Sequence, residues 1–151
     1  MRLREEIERI NQIMGTQPYS ISVDEEDGEY GKKIRMTDHE NNQIGCLNFT
    51  DFDKAIKIDP EFEPIINFHK NLYDKSNMIY FHTLEVDEKH RNKGYATKLL
   101  DYLKKYCLNN NMKYISLIAN QNNRPARSLY DKLNYKEESY RGDLILYVLT
   151  L

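Results

Sequence analysis

Residues 113–119, Lys-Tyr-Ile-Ser-Leu-Ile-Ala, are apolar on both faces of an extended chain. A strand of this kind has to be covered from two sides, so it belongs in the middle of a sheet with other layers packed over it. Its neighbours supply that cover. Ala96, Leu99, Leu100, Leu103 and Cys107 recur at i, i+3, i+4 and i+7 spacing and predict a helix from about 96 to 108, with the Asn109–Asn111 run as its stop. Ala126, Leu129, Tyr130 and Leu133 form a second stripe, for which Asn123 is a good N-cap and Pro125 fits the first turn. Upstream, Met-Ile-Tyr-Phe-His-Thr-Leu-Glu-Val (78–86) is β-rich. Simple alternation places Met78, Tyr80, His82, Leu84 and Val86 on one face and Glu85 on the other unless a bulge intervenes. The tail, 144–151, reads as a final strand.

The first half is less regular. Leu3, Ile7, Ile10 and Met14 suggest an amphipathic helix over about residues 2–14, ended by Gly15. Stretches 18–23, 32–37 and 43–49 look like strands of an antiparallel meander, with the acidic run Asp24–Glu29 read as a solvated hairpin turn. Between Asp51 and Asn77 the pattern is interrupted by Pro60 and Pro64, and only Ile65, Phe68 and Leu72 hint at a short helix. A run of strands followed by strand, helix, strand, helix, strand predicts an α/β (α+β) fold. Its mixed, mostly antiparallel central sheet is flanked by helices, and 151 residues make one domain of residues 1–151.

Charge and cysteine content narrow the function. With 22 basic against 24 acidic residues the net charge is −2, so the overall field argues against nucleic acid or an anionic membrane as partner, and any anion site has to be local. Cys46 and Cys107 show no pairing pattern and read as core thiols in a reducing compartment. The charged N-terminus does not read as a signal peptide and no later run approaches membrane-spanning length, so a cytoplasmic protein is expected. His39, His69 and His90 are scattered without ligand spacing, and no metal site is expected.

One local anion site does stand out. The stretch His-Arg-Asn-Lys-Gly-Tyr-Ala-Thr-Lys-Leu-Leu (90–100) joins the end of the 78–86 strand to the start of a helix. Such an entrance leaves backbone N–H groups unpaired, with the positive end of the helix dipole behind them. Gly94 lets the backbone approach an anion closely, Ala96 keeps that approach open, and Arg91 and Lys93 add charge, which together suit a phosphate. Neither the Walker spacing of glycines nor the dinucleotide-binding triplet is present.

The stretch Leu84–Cys107, followed by Asn122–Tyr135, resembles the acetyl-coenzyme A binding core of the GNAT superfamily of N-acetyltransferases, over roughly residues 78–138. The family's turn, Gln or Arg, two residues, Gly, one residue, Gly or Ala, maps onto Arg91, Asn92, Lys93, Gly94, Tyr95 and Ala96. Its later motif maps onto Asn123, Ala126 and Tyr130. Asn134 stands where the family commonly has glycine, and it tolerates the left-handed conformation of a helix end. The resemblance implies that the amides of this turn, extending to Thr97, hold the pyrophosphate of acetyl-CoA, and that the main chain of Leu84, Glu85 and Val86 pairs with the pantetheine arm. The first seventy or so residues match no acceptor-binding pattern, so the acceptor stays unnamed.

Transfer to an amine requires loss of a proton, because a lysine-like amine with a reference pKa of about 10.4 is protonated at neutral pH. His82 is one candidate base, at a strand position that carries a base in some relatives; its bland alternative is a histidine held by structural hydrogen bonds. Glu85 is the rival base. Tyr130 is either the acid that protonates the leaving thiolate, as is common in the family, or a packing residue on its helical stripe. The implied activity is direct acetyl transfer in a ternary complex to a primary amine of a small molecule, peptide or protein, and a homodimer is compatible with it. The alternative is a non-catalytic acyl-CoA-binding regulatory module.

Overall fold

The computed structural model describes residues 18–66 and 73–151. Strands β1 (Ser20–Gly28), β2 (Gly31–Thr37), β3 (Gln43–Asp51) and β4 (Met78–Val86) form an antiparallel meander. Helices α1 (Phe52–Ile58) and α2 (Phe62–Ile66) lie between β3 and β4. After β4 come α3 (Tyr95–Asn109), β5 (Tyr114–Asn120), α4 (Arg124–Lys132), β6 (Lys136–Arg141) and β7 (Leu144–Thr150). The seven strands make one sheet in the order β1-β2-β3-β4-β5-β7-β6, in which only β4 and β5 run parallel. This is the mixed, mostly antiparallel α+β architecture expected.

Each face of the sheet has its own core. Under α3 and α4, Leu99, Leu100, Leu103, Cys107 and Tyr130 bury against Ile34, Leu47, Phe49, Phe81, Ile115 and Leu117. On the other face Phe52, Ala55, Phe62, Ile65 and Ile66 cover Met78, Tyr80, Leu146 and Val148. The doubly apolar strand thus lies where its composition requires, between β4 and β7 with both faces covered.

Several local expectations are corrected. The acidic run is not a turn: β1 continues through Asp24 to Gly28, and only Glu29 and Tyr30 turn the chain. At an exposed edge these carboxylates stay solvated, and Arg35 and Lys32 of β2 reach Asp24 at 2.9 Å and Asp27 at 3.3 Å. Helix α1 arises where the apolar spacing predicts no helix, nucleated by Asp51, whose side chain accepts from the Lys54 amide at 2.8 Å. Strand β6 is a further element that the pattern does not predict, because the polar Lys-Glu-Glu-Ser-Tyr-Arg of a sheet edge has no apolar alternation. The helix expected over residues 2–14, and the positions Phe68 and Leu72, lie outside the described residues.

The correction with most bearing on the site is in β4. Asn48 pairs with Thr83 but Phe49 pairs with Phe81, so His82 is an extra residue, a β-bulge. The bulge reverses the alternation: Met78 and Tyr80 belong to one core, while Ile79, Phe81, Leu84 and Val86 pack with the other. The five residues expected on one face are therefore divided at His82.

Candidate active site

Strands β4 and β5 are in register only over Met78–Tyr80 and Tyr114–Ser116, and beyond that point they part. The opening is a cleft of about 1040 Å³, walled by Leu84, Glu85 and Val86 of β4, Ile44 and Gly45 of β3, Arg91 and Ala96, and Asn123, Ala126, Leu129 and Tyr130 around α4. Eight of the candidate site residues read from the sequence meet there: Leu84, Glu85, Val86, Arg91, Ala96, Asn123, Ala126 and Tyr130. Asn92, Lys93, Gly94, Tyr95 and Thr97 do not contribute to the lining; they belong to the same turn and first helical residues as Arg91 and Ala96, which do.

That turn is shaped by two left-handed residues, Asn92 (φ 62°) and Gly94 (φ 78°). The Arg91 Nε–H donates to the Val86 carbonyl at 3.1 Å, pinning the turn to the end of β4. Gly94 is the N-cap of α3 and provides no side-chain hydrogen bond, so the amides of Tyr95, Ala96 and Thr97 are left without acceptors in the helix. A Cβ on Gly94 would meet nothing within 4 Å, so the space above these amides is open to an anion. In Gly94→Val the β-branched side chain would occupy that space and strain the positive φ, so affinity for acetyl-CoA should fall at least about tenfold with the fold retained. Calorimetry showing unchanged affinity would refute this placement.

Asn123 caps α4 by accepting from the Ala126 amide at 3.3 Å, and Asn134 ends the region at φ 68°. Tyr130 is 7% exposed and lines the cleft while its ring packs on Tyr147, Tyr135 and Phe81, with centroids at 5.4, 5.8 and 6.0 Å. Burial, assisted by the nearby Tyr147 phenol, pushes its pKa up to about 12 and keeps it a proton carrier at neutral pH.

His82 stands outside the cleft lining. Its Nε2 lies 3.1 Å from the Tyr30 carbonyl, which can only accept, so Nε2 carries the hydrogen and Nδ1 accepts from the Thr83 hydroxyl at 2.9 Å. Both ring nitrogens are thus occupied, and the imidazole ties the β1–β2 turn to the bulge of β4. Glu85, by contrast, is a cleft residue.

The acetyltransferase (GNAT) family profile matches residues 3–135. The chain belongs to the acetyltransferase (GNAT) family. No curated protein matches it. Among solved structures its fold is similar to that of a GNAT-family acetyltransferase from Listeria monocytogenes 4b F2365. That pair has a TM-score of 0.63 and 13% identity, over 82% of this chain and 66% of that one. It is also similar to the PaiA N-acetyltransferase of Thermoplasma acidophilum in complex with coenzyme A, with a TM-score of 0.60 and 13% identity, over 79% of this chain and 60% of that one. A GNAT-family acetyltransferase from Staphylococcus aureus Mu50 gives 0.59 and 18%, over 80% and 67%. The chain spans about two thirds or less of the length of these relatives.

Within the GNAT fold, sequence reasoning missed the wall contributed by Gln43, Ile44 and Gly45. A signal existed in the strand-interior Gly45, where a Cβ would come within 2.7 Å of the Glu85 carbonyl oxygen, since such glycines mark close backbone approach. Neither thiol is poised for chemistry: Cys46 and Cys107 are buried, and burial pushes Cys107 up to about 12.

Proposed function

We propose that this protein is a single-domain N-acetyltransferase that uses acetyl-CoA and passes the acetyl group directly to a primary amine in a ternary complex. The observation that carries the reading is one continuous path: unpartnered amides at the start of α3, an opening between β4 and β5, and a protonated Tyr130 on its wall. The residues fit acetyl-CoA, because the amides and the open space at Gly94 suit a pyrophosphate, and an exposed β4 edge suits an extended arm carrying amides.

Acetyl-CoA supplies the acyl group as a thioester. Arg91 holds the turn against β4, and Ala96 and Gly94 keep its amides accessible. Glu85 takes the proton of the incoming ammonium, directly or through one water, because it is the ionisable β4 residue of the cleft lining. The freed amine attacks the thioester carbonyl, and the carbon–sulfur bond breaks as the amide forms. Tyr130 gives its proton to the departing sulfur and is reprotonated by the second proton that the amine nitrogen releases. His82 ranks behind Glu85, since its Nδ1 would first have to surrender the Thr83 hydrogen bond. The buried Cys107 argues for direct transfer over a covalent acyl-enzyme.

The test is a screen of amine acceptors, from small polyamines to lysine peptides and peptide N-termini, followed by the release of free thiol from acetyl-CoA. Amine-dependent release supports the reading. Tight acetyl-CoA binding with no release for any amine class would overturn it in favour of a non-catalytic acyl-CoA-binding module.

A further inference from the structure

A polar cluster behind Tyr130 takes no part in the chemistry above. Glu137 of β6 is the cross-strand partner of Tyr147 on β7. Its Oε1 accepts from the Tyr147 hydroxyl at 3.0 Å and from Arg127 Nη2 at 3.0 Å, and its Oε2 accepts from the Tyr140 hydroxyl. Arg127 Nη1 donates in turn to the Gln121 carbonyl at 3.1 Å, at the loop that leads into α4. One carboxylate therefore receives three donors from two strands and a helix, and those hydrogen bonds, Tyr140's first, hold its pKa below the usual carboxylate range.

Two routes lead from this carboxylate to Tyr130. Arg127 lies three residues before Tyr130 on α4, so the ion pair fixes the helix that carries it. Tyr147 is completely buried, and its ring lies 5.4 Å from the Tyr130 ring at 54°, so fixing the Tyr147 hydroxyl fixes the surface on which Tyr130 rests.

We propose that Glu137 is a positioning residue: through Tyr147 and Arg127 it holds the Tyr130 side chain at the cleft wall. The inference rests on the reading of Tyr130 as the proton donor, and the experiment separates the two. Protein with ring-labelled tyrosine is compared as wild type, Glu137→Ala, Glu137→Gln and Tyr147→Phe, with the Tyr130 resonance identified by its loss in Tyr130→Phe. In Glu137→Ala the Tyr130 resonance should shift and broaden, and its response to acetyl-CoA should change. Glu137→Gln, which keeps an oxygen for Arg127 and Tyr147, should restore most of the wild-type signal.

With an amine from the screen, Glu137→Ala should lower kcat about tenfold to a hundredfold and leave KM for acetyl-CoA within about twofold. In a Tyr130→Phe background it should add nothing further, because both changes act on one group. Should Glu137→Ala not fold, Tyr147→Phe removes the Tyr147 route while keeping the ring and the Arg127 ion pair, and a smaller shift in the same direction with the same non-additivity is expected. A Tyr130 resonance identical to wild type in the folded Glu137 or Tyr147 variants, or a kinetic loss that adds to that of Tyr130→Phe, would overturn the proposal. A fully active Tyr130→Phe with a displaced Tyr130 resonance in Glu137→Ala would instead remove the proton-donor role and leave the structural tie in place.

Discussion

Tyr130→Phe should reduce turnover by about a hundredfold to ten thousandfold, the usual contribution of a positioned general acid, while acetyl-CoA affinity and the melting temperature change little. The substitution removes one oxygen and keeps the ring contacts with Phe81, Tyr135 and Tyr147 that hold α4 to the sheet. Its pKa of about 12 means that the phenol is fully protonated across the neutral range, so no loss of its proton is expected in the rate profile below about pH 10. Steady-state kinetics against calorimetric affinity makes the distinction. Equal falls in affinity and turnover would mean that the hydroxyl serves binding, and an unchanged turnover would remove Tyr130 from the proton traffic.

Gly31→Ala should be the most damaging small change to the fold. Gly31 is buried at the start of β2 with φ 87°, and a Cβ there would lie 2.3 Å from the Phe49 carbonyl oxygen and 2.9 Å from the Thr50 Cβ. Both are on β3, whose partner β4 carries the cleft, so neither can move cheaply. Left-handed strain and overpacking together cost about 2–5 kcal/mol, which lowers the melting temperature of a chain of this size by about 4–20 °C. Gly28→Ala is the internal control, since its Cβ would meet only the Gly31 carbonyl oxygen at an ordinary 3.7 Å. Thermal melts that move equally in the two variants would contradict this account.

What the sequence made readable was whatever is local. Strand 78–86, the helix near 96–108 and the helix capped by Asn123 were legible because apolar spacing and capping chemistry lie within a dozen residues of one another. The bulge at His82 was not, since it exists only through the mismatch between β3 and β4, a pairing across more than thirty residues. The same applies to the site. Motif spacing indicated the turn at 91–96 and the α4 residues, whereas the wall from Ile44 and Gly45 needs the strand order. The Glu137 cluster unites a helix and two strands, and no short pattern spells it.

The gap between β4 and β5 also bears on where the sheet exposes its hydrogen-bonding edges. An unpaired strand edge at the margin of a sheet invites another protein's strand and is a common seed of aggregation. Here the free edge of β4 lies inside the sheet, with β5 to one side and α4 and the Arg91–Ala96 turn lining the opening. An edge flanked in this way is less open to pairing with a second strand than one at the margin of a sheet. The fold thereby places a hydrogen-bonding edge within a cleft, away from the sheet margin where pairing between proteins begins.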